Sequence, residues 1–209
     1  MLRRRLLGGR RYKYVTGAVS CSAGNAFNNY VTGSNYFRIK INFRINQSGT
    51  TIYLVHNWRG ATNNWSLLLN NGALTYQETY ESTTTNYTWT HKTIETGKWY
   101  SVEIYFTYYN GSKNRVYCVL DGTNLGYSQQ NANMYTSSAA RNVYLAYGVN
   151  GDNSVSLRGE IHLSGTSYNS STTSNSATWN LEDETVGSSL GLTNNGYTIT
   201  GGTVYLGTE

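Results

Sequence analysis

The chain has 209 residues, with 20 tyrosines, 22 glycines, no proline and only 13% charged residues. That length can bury a full hydrophobic core without covalent staples, and two cysteines are too few for the disulfide framework of a small secreted scaffold. The formal charge of +5 belongs to one end. Arg3, Arg4, Arg5, Arg10, Arg11 and Lys13 supply six of the sixteen basic residues, and removing them leaves ten basic against eleven acidic, a formal charge of −1 for residues 14–209. A near-neutral body whose basic residues do not gather in one segment excludes a broad nucleic-acid footprint, so no specific nucleic-acid partner is expected.

Residues 1–13 read as a short basic N-terminal extension. Their apolar run, Leu6-Leu7, is far shorter than the roughly 7–15 residues of a secretory h-region. No later stretch reaches the ~20 apolar residues of a membrane span. Synthesis in a cytoplasm, with no membrane partner, is therefore expected. Tyrosine and β-branched residues suit pleated, half-buried surfaces, and without proline the turns fall to Gly and Asn, as at Asn71-Gly72, Asn110-Gly111, Asp121-Gly122, Asn150-Gly151 and Asn195-Gly196.

From Tyr36 to Ile45, Phe37, Ile39, Ile41, Phe43 and Ile45 alternate with polar residues, which predicts a half-buried strand with Arg38, Lys40 and Arg44 on the wet side. TIYLVHNW predicts a second strand, and WSLLLNNGALTYQ a hairpin turning at Asn71-Gly72. From Trp99 follow a strand with Tyr100, Val102, Ile104 and Phe106 inward, a loop at 110–114, a strand with Val116, Cys118 and Leu120 inward, and a tight turn at Asp121-Gly122. Cys21 and Cys118 read as ordinary buried thiols. NVYLAYGV and SLRGEIHLSG predict two more strands, residues 166–178 a polar loop, and residues 179–209 short strands that either close the same sandwich or form an add-on. Many short strands and no amphipathic helix predict an all-β, two-sheet antiparallel sandwich over residues 14–209.

GKWYSVEIYF followed by RVYCVLDGTNLG resembles the paired-strand signature of laminin-G-like, concanavalin A-like jelly rolls: a Trp, an alternating strand, then a strand ending in Asp-Gly. SLRGEIHLSG is similar to the Gly-containing strand near the end of those domains, and the likeness covers about residues 36–165. It implies a jelly-roll sandwich. The opening MLRRRLL, ahead of such a domain, is similar to proteins of Bacteroidetes bacteria and their tailed phages, including crAss-like phages. That likeness implies a virion structural protein, whether head fibre, capsid decoration or tail-associated, that is homo-oligomeric and docks on other virion proteins.

The same fold hosts glucanases, whose Glu-x-Asp-x-Glu motif aims three carboxylates from one face of a strand. Glu182-Asp183-Glu184 is the nearest match, but consecutive acids would send Asp183 to the opposite face. No catalytic residue is assigned, and the chain is not expected to be an enzyme. His56, His91 and His162 are widely separated and two cysteines make no zinc pattern, so no cofactor is expected. Calcium, which the resemblance allows at loop oxygens, has Asp121 and Asp152 as weak candidates, and turn hydrogen bonding accounts for both equally.

A glycan site needs aromatic faces flanked by amides or acids. Trp58, Asn63 and Trp65 offer that mixture in one segment, with Trp89 as a further ring, although Trp58 and Trp65 equally suit strand-end core positions. Arg3, Arg4, Arg5, Leu6, Leu7, Arg10 and Arg11 suit an anchor that inserts apolar residues into a neighbouring protein and clamps its acidic groups with guanidinium forks; a solvated tail is the alternative. Two functions stay open. One is a virion protein, anchored by its N-terminus, whose jelly roll binds a cell-surface or mucosal glycan; the other is a free carbohydrate-binding module of a bacterial glycan-capture system.

Overall fold

The computed structural model describes residues 9–22, 36–49, 51–58, 63–80, 82–110, 113–131, 142–149, 151–166 and 174–209. Among these residues fourteen strands run in chain order: β1 (Arg11–Ser22), β2 (Tyr36–Ile45), β3 (Thr51–Trp58), β4 (Asn63–Asn70), β5 (Ala73–Tyr80), β6 (Thr83–Thr88), β7 (Trp99–Asn110), β8 (Lys113–Leu120), β9 (Thr123–Asn131), β10 (Asn142–Gly148), β11 (Val155–Thr166), β12 (Ser174–Asn180), β13 (Leu190–Asn194) and β14 (Tyr197–Thr208). All the pairings are antiparallel. Among the described residues no helix is long and apolar enough to cross a membrane.

One layer runs β6-β5-β4-β3-β10 and the other β9-β8-β7-β2-β11. β1 joins them. Its first part, Tyr14–Thr16, pairs with β11, its last part, Val19–Ser22, pairs with β10, and β14 follows it along both parts. The crossing needs a bulge between Thr16 and Val19, where Gly17 has φ +95°, and in β14 Gly201 and Gly202 have φ +96° and +63°. A Cβ on Gly201 would lie 2.8 Å from the Ala18 carbonyl oxygen. Only glycine fits that corner. The result is an all-β jelly-roll sandwich, hydrogen-bonded into a near-barrel along one side.

Period two places the core. Phe37, Ile39, Ile41, Phe43 and Ile45 of β2 are buried beside Tyr100, Val102, Ile104 and Phe106 of β7 and Val116, Cys118 and Leu120 of β8, while Arg38 and Lys40 are exposed. From the other layer Ile52 and Leu54 of β3, Leu67 and Leu69 of β4 and Val143 and Leu145 of β10 complete the same cluster. Cys21 and Cys118 are free thiols within it. Asn71-Gly72, Asp121-Gly122 and Asn195-Gly196 all have positive φ at both residues, which is the type I′ hairpin geometry that the right-handed strand twist favours.

Three boundaries differ from expectation. β1 begins at Arg11, inside the segment read as an extension, because Tyr12 and Tyr14 already alternate outward and the strand pairs with β14 from Arg11↔Thr208. The segment 166–178 is not loop throughout: β12 starts at Ser174 and pairs with β11 from Thr166↔Ser174, burying Ala177 and Trp179 on one face while hydroxyl residues occupy the other. The expected loop at 110–114 is shorter, since β7 extends through Asn110 and β8 starts at Lys113. The tail joins the common core through Leu190, Tyr197, Ile199 and Val204.

Candidate functional site

The outer face of the β11-β2-β7 layer carries an arginine–aromatic cluster at the point where β1 and β14 join it. The register sets Tyr205 of β14 opposite Tyr14 of β1, Tyr14 opposite Arg158 of β11, and Arg44 of β2 opposite Trp99 of β7. The Tyr14 and Tyr205 rings stack at 5.5 Å, and Tyr12 meets Trp99 edge-on at 5.8 Å. Two guanidiniums lie over these rings: Arg44 is 5.0 Å from Tyr14 and 4.9 Å from Trp99, and Arg158 is 5.2 Å from Tyr12 and 4.7 Å from Trp99. The Trp99 indole N–H and Arg44 Nη1 both donate to the Tyr12 hydroxyl, at 3.4 Å each. Such contacts hold planar cations at fixed orientation.

Beside the cluster lies an open depression of about 570 Å³, lined by residues that include Arg10, Arg11, Tyr12, Trp99, Arg158 and Glu182. Its carboxylates are already engaged. Asp121 accepts from the Ser101 N–H at 2.7 Å and from the Lys92 ammonium at 2.5 Å. Burial opposes its ionisation, but those two donors hold its pKa below the ordinary carboxylate value. Glu182 accepts from the Lys13 N–H at 2.9 Å, and Glu209 from Arg158. Arg44 has no carboxylate partner among the described residues; its Nε donates to Asn46 at 3.2 Å. A second strip crosses the same layer: Tyr105 and Tyr117 stack at 4.7 Å and 4°, Tyr127 follows at 5.2 Å, and Arg38 and Arg115 lie over Tyr105 and Tyr127.

The residues singled out from sequence do not form one site. Trp65 and Trp89 are each only 2% exposed. Trp65 packs against Phe37, Tyr76 and Phe106 in the core, so neither ring offers a face to a sugar, and the strand-end core reading of Trp65 is the one the structure takes. Trp58 and Asn63 belong to β3 and β4, and their side chains lie outside the described residues, as do Arg3, Arg4, Arg5, Leu6 and Leu7. Arg10 and Arg11 are exposed at the rim of the depression.

Asp152 is a turn residue. Its Oδ1 accepts from the Val149 N–H at 2.9 Å, the Ser154 N–H at 2.8 Å and the Ser154 hydroxyl, and its Oδ2 from Gln47 at 3.1 Å. Asp121 is held by Lys92, and no group of three metal-ligating His, Cys, Asp or Glu side chains occurs among the described residues. Glu182 and Asp183 lie in a 3-10 turn, Leu181–Asp183, capped by Asn180, rather than on a strand.

The Tyr12, Tyr14, Arg44, Trp99 and Arg158 cluster was missed in the sequence. The signal was available in part: Tyr12-x-Tyr14 alternates, Arg44 falls on the wet face of β2, and Trp99 opens β7. That they converge depends on strand order.

No family model matches the chain, and no curated protein matches it. Solved structures do. The chain is similar to domains LG4-5 of the mouse laminin alpha1 chain at 12% identity and TM-score 0.48, covering 85% of this chain and 49% of that one. It is also similar to the CBM40 of a Ruminococcus gnavus sialidase bound to α2,6-sialyllactose (13% identity, TM-score 0.42, 69% and 89% covered) and to the Caenorhabditis elegans galectin LEC-6 (11% identity, TM-score 0.42, 75% and 95% covered). The chain thus spans about half the length of the laminin structure.

Proposed function

We propose that the chain is a non-enzymatic display domain: a jelly roll whose arginine–aromatic face binds a glycan, and whose basic N-terminal segment docks it on a larger assembly. The observation that carries the glycan reading is the open depression beside Trp99, Tyr12 and Arg158. Aromatic C–H-compatible surface, guanidinium forks and the Asn42 and Ser101 side chains converge there, the mixture that orients a sugar by stacking and hydrogen bonds. Carboxylates engaged by donors at the same place suit binding better than proton transfer. The CBM40 named above was solved with a sialyllactose; the reading here rests on this chain's own surface.

The test is a glycan array probed with the wild-type chain and with Trp99→Ala and Arg158→Ala variants that keep the wild-type melting temperature. Signal should fall at least about tenfold in each, the loss of one good polar or stacking contact. Unchanged signal in both variants would remove the depression as the site.

The docking half of the proposal is supported by the opening MLRRRLL, which resembles proteins of Bacteroidetes bacteria and their tailed phages, and by six basic residues before position 14. The full chain should co-sediment with particles stripped of it, and a chain lacking residues 1–10 should not. The cut spares β1, which starts at Arg11. Equal binding by both chains would favour the alternative, a free carbohydrate-binding module.

A further inference from the structure

We propose that β6 is a self-association edge, through which two copies of this chain pair antiparallel about a two-fold axis with Asn86 opposite Asn86 of the partner subunit. Among the described residues β6 is the last strand of its layer. All six of its residues, Thr83 to Thr88, are exposed, and the strand has no charge, no proline and no bulge against β5. It lacks the usual devices that blunt a sheet edge. Other edges have them: β9 bulges at Leu125–Gly126, where Gly126 has φ +93°, and the β12 carbonyls of Thr178 and Ser176 are capped by the Asn194 and Asn195 amides at 2.9 and 2.7 Å.

The hydrogen-bond phase of the strand can be read. The Trp89 N–H donates to the Leu74 carbonyl at 3.0 Å, continuing the Thr75↔Thr88 register by one step. Antiparallel pairs alternate between hydrogen-bonded and non-hydrogen-bonded, so Thr83, Thr85 and Tyr87 bond β5, while the N–H and C=O of Thr84, Asn86 and Thr88 point to the open edge. The side chains agree: at the non-hydrogen-bonded positions Thr84 meets Thr79 at 3.0 Å, Asn86 meets Gln77 at 3.1 Å and Thr88 meets Thr75 at 3.0 Å.

The open edge is therefore a short row of donors and acceptors, symmetric about Asn86. In a two-fold pair centred there, Thr84 faces Thr88 of the partner subunit, Asn86 faces itself, and every free N–H and C=O of the strand is satisfied. A shift by two residues leaves Thr88 or Thr84 unpaired, and a shift by one puts the two layers' side chains on opposite faces. The Thr·Thr and Gln·Asn ladder between β5 and β6 would also continue across the axis as Thr·Thr and Asn·Asn. This self-complementarity is what an isologous contact requires, and it selects a second copy over an unrelated strand. Because β6 is remote in strand order from β1, β11, β2 and β7, pairing leaves the depression beside Trp99 open on each copy.

A strand this short buries less than the ~1,200 Å² of stable complexes, so the dimer should form at high micromolar concentration in solution and more readily where copies are held side by side. Sedimentation of the full chain from about 5 to 500 µM should show the average mass rising from one chain toward two. Asn86→Lys, which sets like charges face to face on the axis, should stay monomeric at every concentration with its melting temperature unchanged. Asn86→Cys should be linked into a covalent dimer by a short bis-maleimide. Thr83→Cys should not, because its copies lie roughly 20 Å apart at 3.3 Å per residue; Cys21 and Cys118, both 0% exposed, do not compete. A wild-type chain that stays monomeric throughout, a dimer indifferent to Asn86→Lys, or equal linking at positions 83 and 86 would each overturn the proposal.

Discussion

His56 shows how one residue ties stability to pH. Its Nδ1 lies 2.6 Å from the Ser66 hydroxyl, and its ring packs against Tyr53 and Tyr147 at 4.8 and 5.1 Å. Burial pushes the imidazole pKa from its ordinary 6.5 down to about 4. The folded state therefore resists protonation that the unfolded chain accepts. The stability that His56 contributes is complete above pH 6.5 and is lost as pH falls toward 4, by about 2 kcal/mol after allowance for solvent near the ring. The check is urea denaturation at pH 7 and pH 4.5: wild type should lose more stability between the two than His56→Gln, which keeps a hydrogen-bonding group beside Ser66 but does not titrate. Equal losses would mean that the carboxylates alone set the acid limit. Burial acts likewise on the two thiols, both pushed up to about 12, so neither is a nucleophile near neutral pH in the folded protein.

At the scale of elements, the decisive feature is the corner made by β1 and β14. Straight strands would leave β1 in one layer, with the other layer losing a neighbour for β11. The Gly17 bulge and the Gly201-Gly202 pair let both strands change layer together. Gly201→Ala would place a methyl against the Ala18 carbonyl at a φ that alanine rarely adopts. It should cost about 1–3 kcal/mol in backbone strain alone, read as a lower urea midpoint with unchanged m. Gly72→Ala is the control for the corner: nothing lies within 4 Å of the added Cβ there, so its smaller cost would isolate the φ penalty from the clash.

For the whole molecule, strand order makes the fold one cooperative unit. β14, the last strand, pairs with β1, the first, along nearly all its length, and Leu190, Tyr197, Ile199 and Val204 lie in the same core as β2 and β7. A chain ending at Glu184 would expose the full outer edge of β1 and part of the core. It should lose its near-ultraviolet circular dichroism and aggregate, whereas removal of residues 1–10 should leave the spectrum intact. A folded, soluble chain without β13 and β14 would show that the tail is an add-on after all. The same closure positions the candidate site, because Tyr205 near the end of the chain stacks on Tyr14 near its start.

What the sequence determined by itself was local. Alternation in β2, β7 and β8 identified their inner faces residue by residue, and Asn71-Gly72, Asp121-Gly122 and Asn195-Gly196 marked tight turns, because period two and positive φ are properties of a few adjacent residues; Asn110-Gly111 and Asn150-Gly151 extend outside the described residues. Trp65 was ambiguous because an aromatic at a strand end suits a core and a ligand platform equally, and only its packing on Phe37 and Phe106 decided between them. β12 escaped notice because its serines and threonines, polar on one face, mask the Ala177 and Trp179 stripe on the other. The arginine–aromatic cluster could not be read at all. Tyr14, Arg44, Trp99, Arg158 and Tyr205 come from five strands, and long-range antiparallel register, which no local pattern encodes, is what sets them side by side.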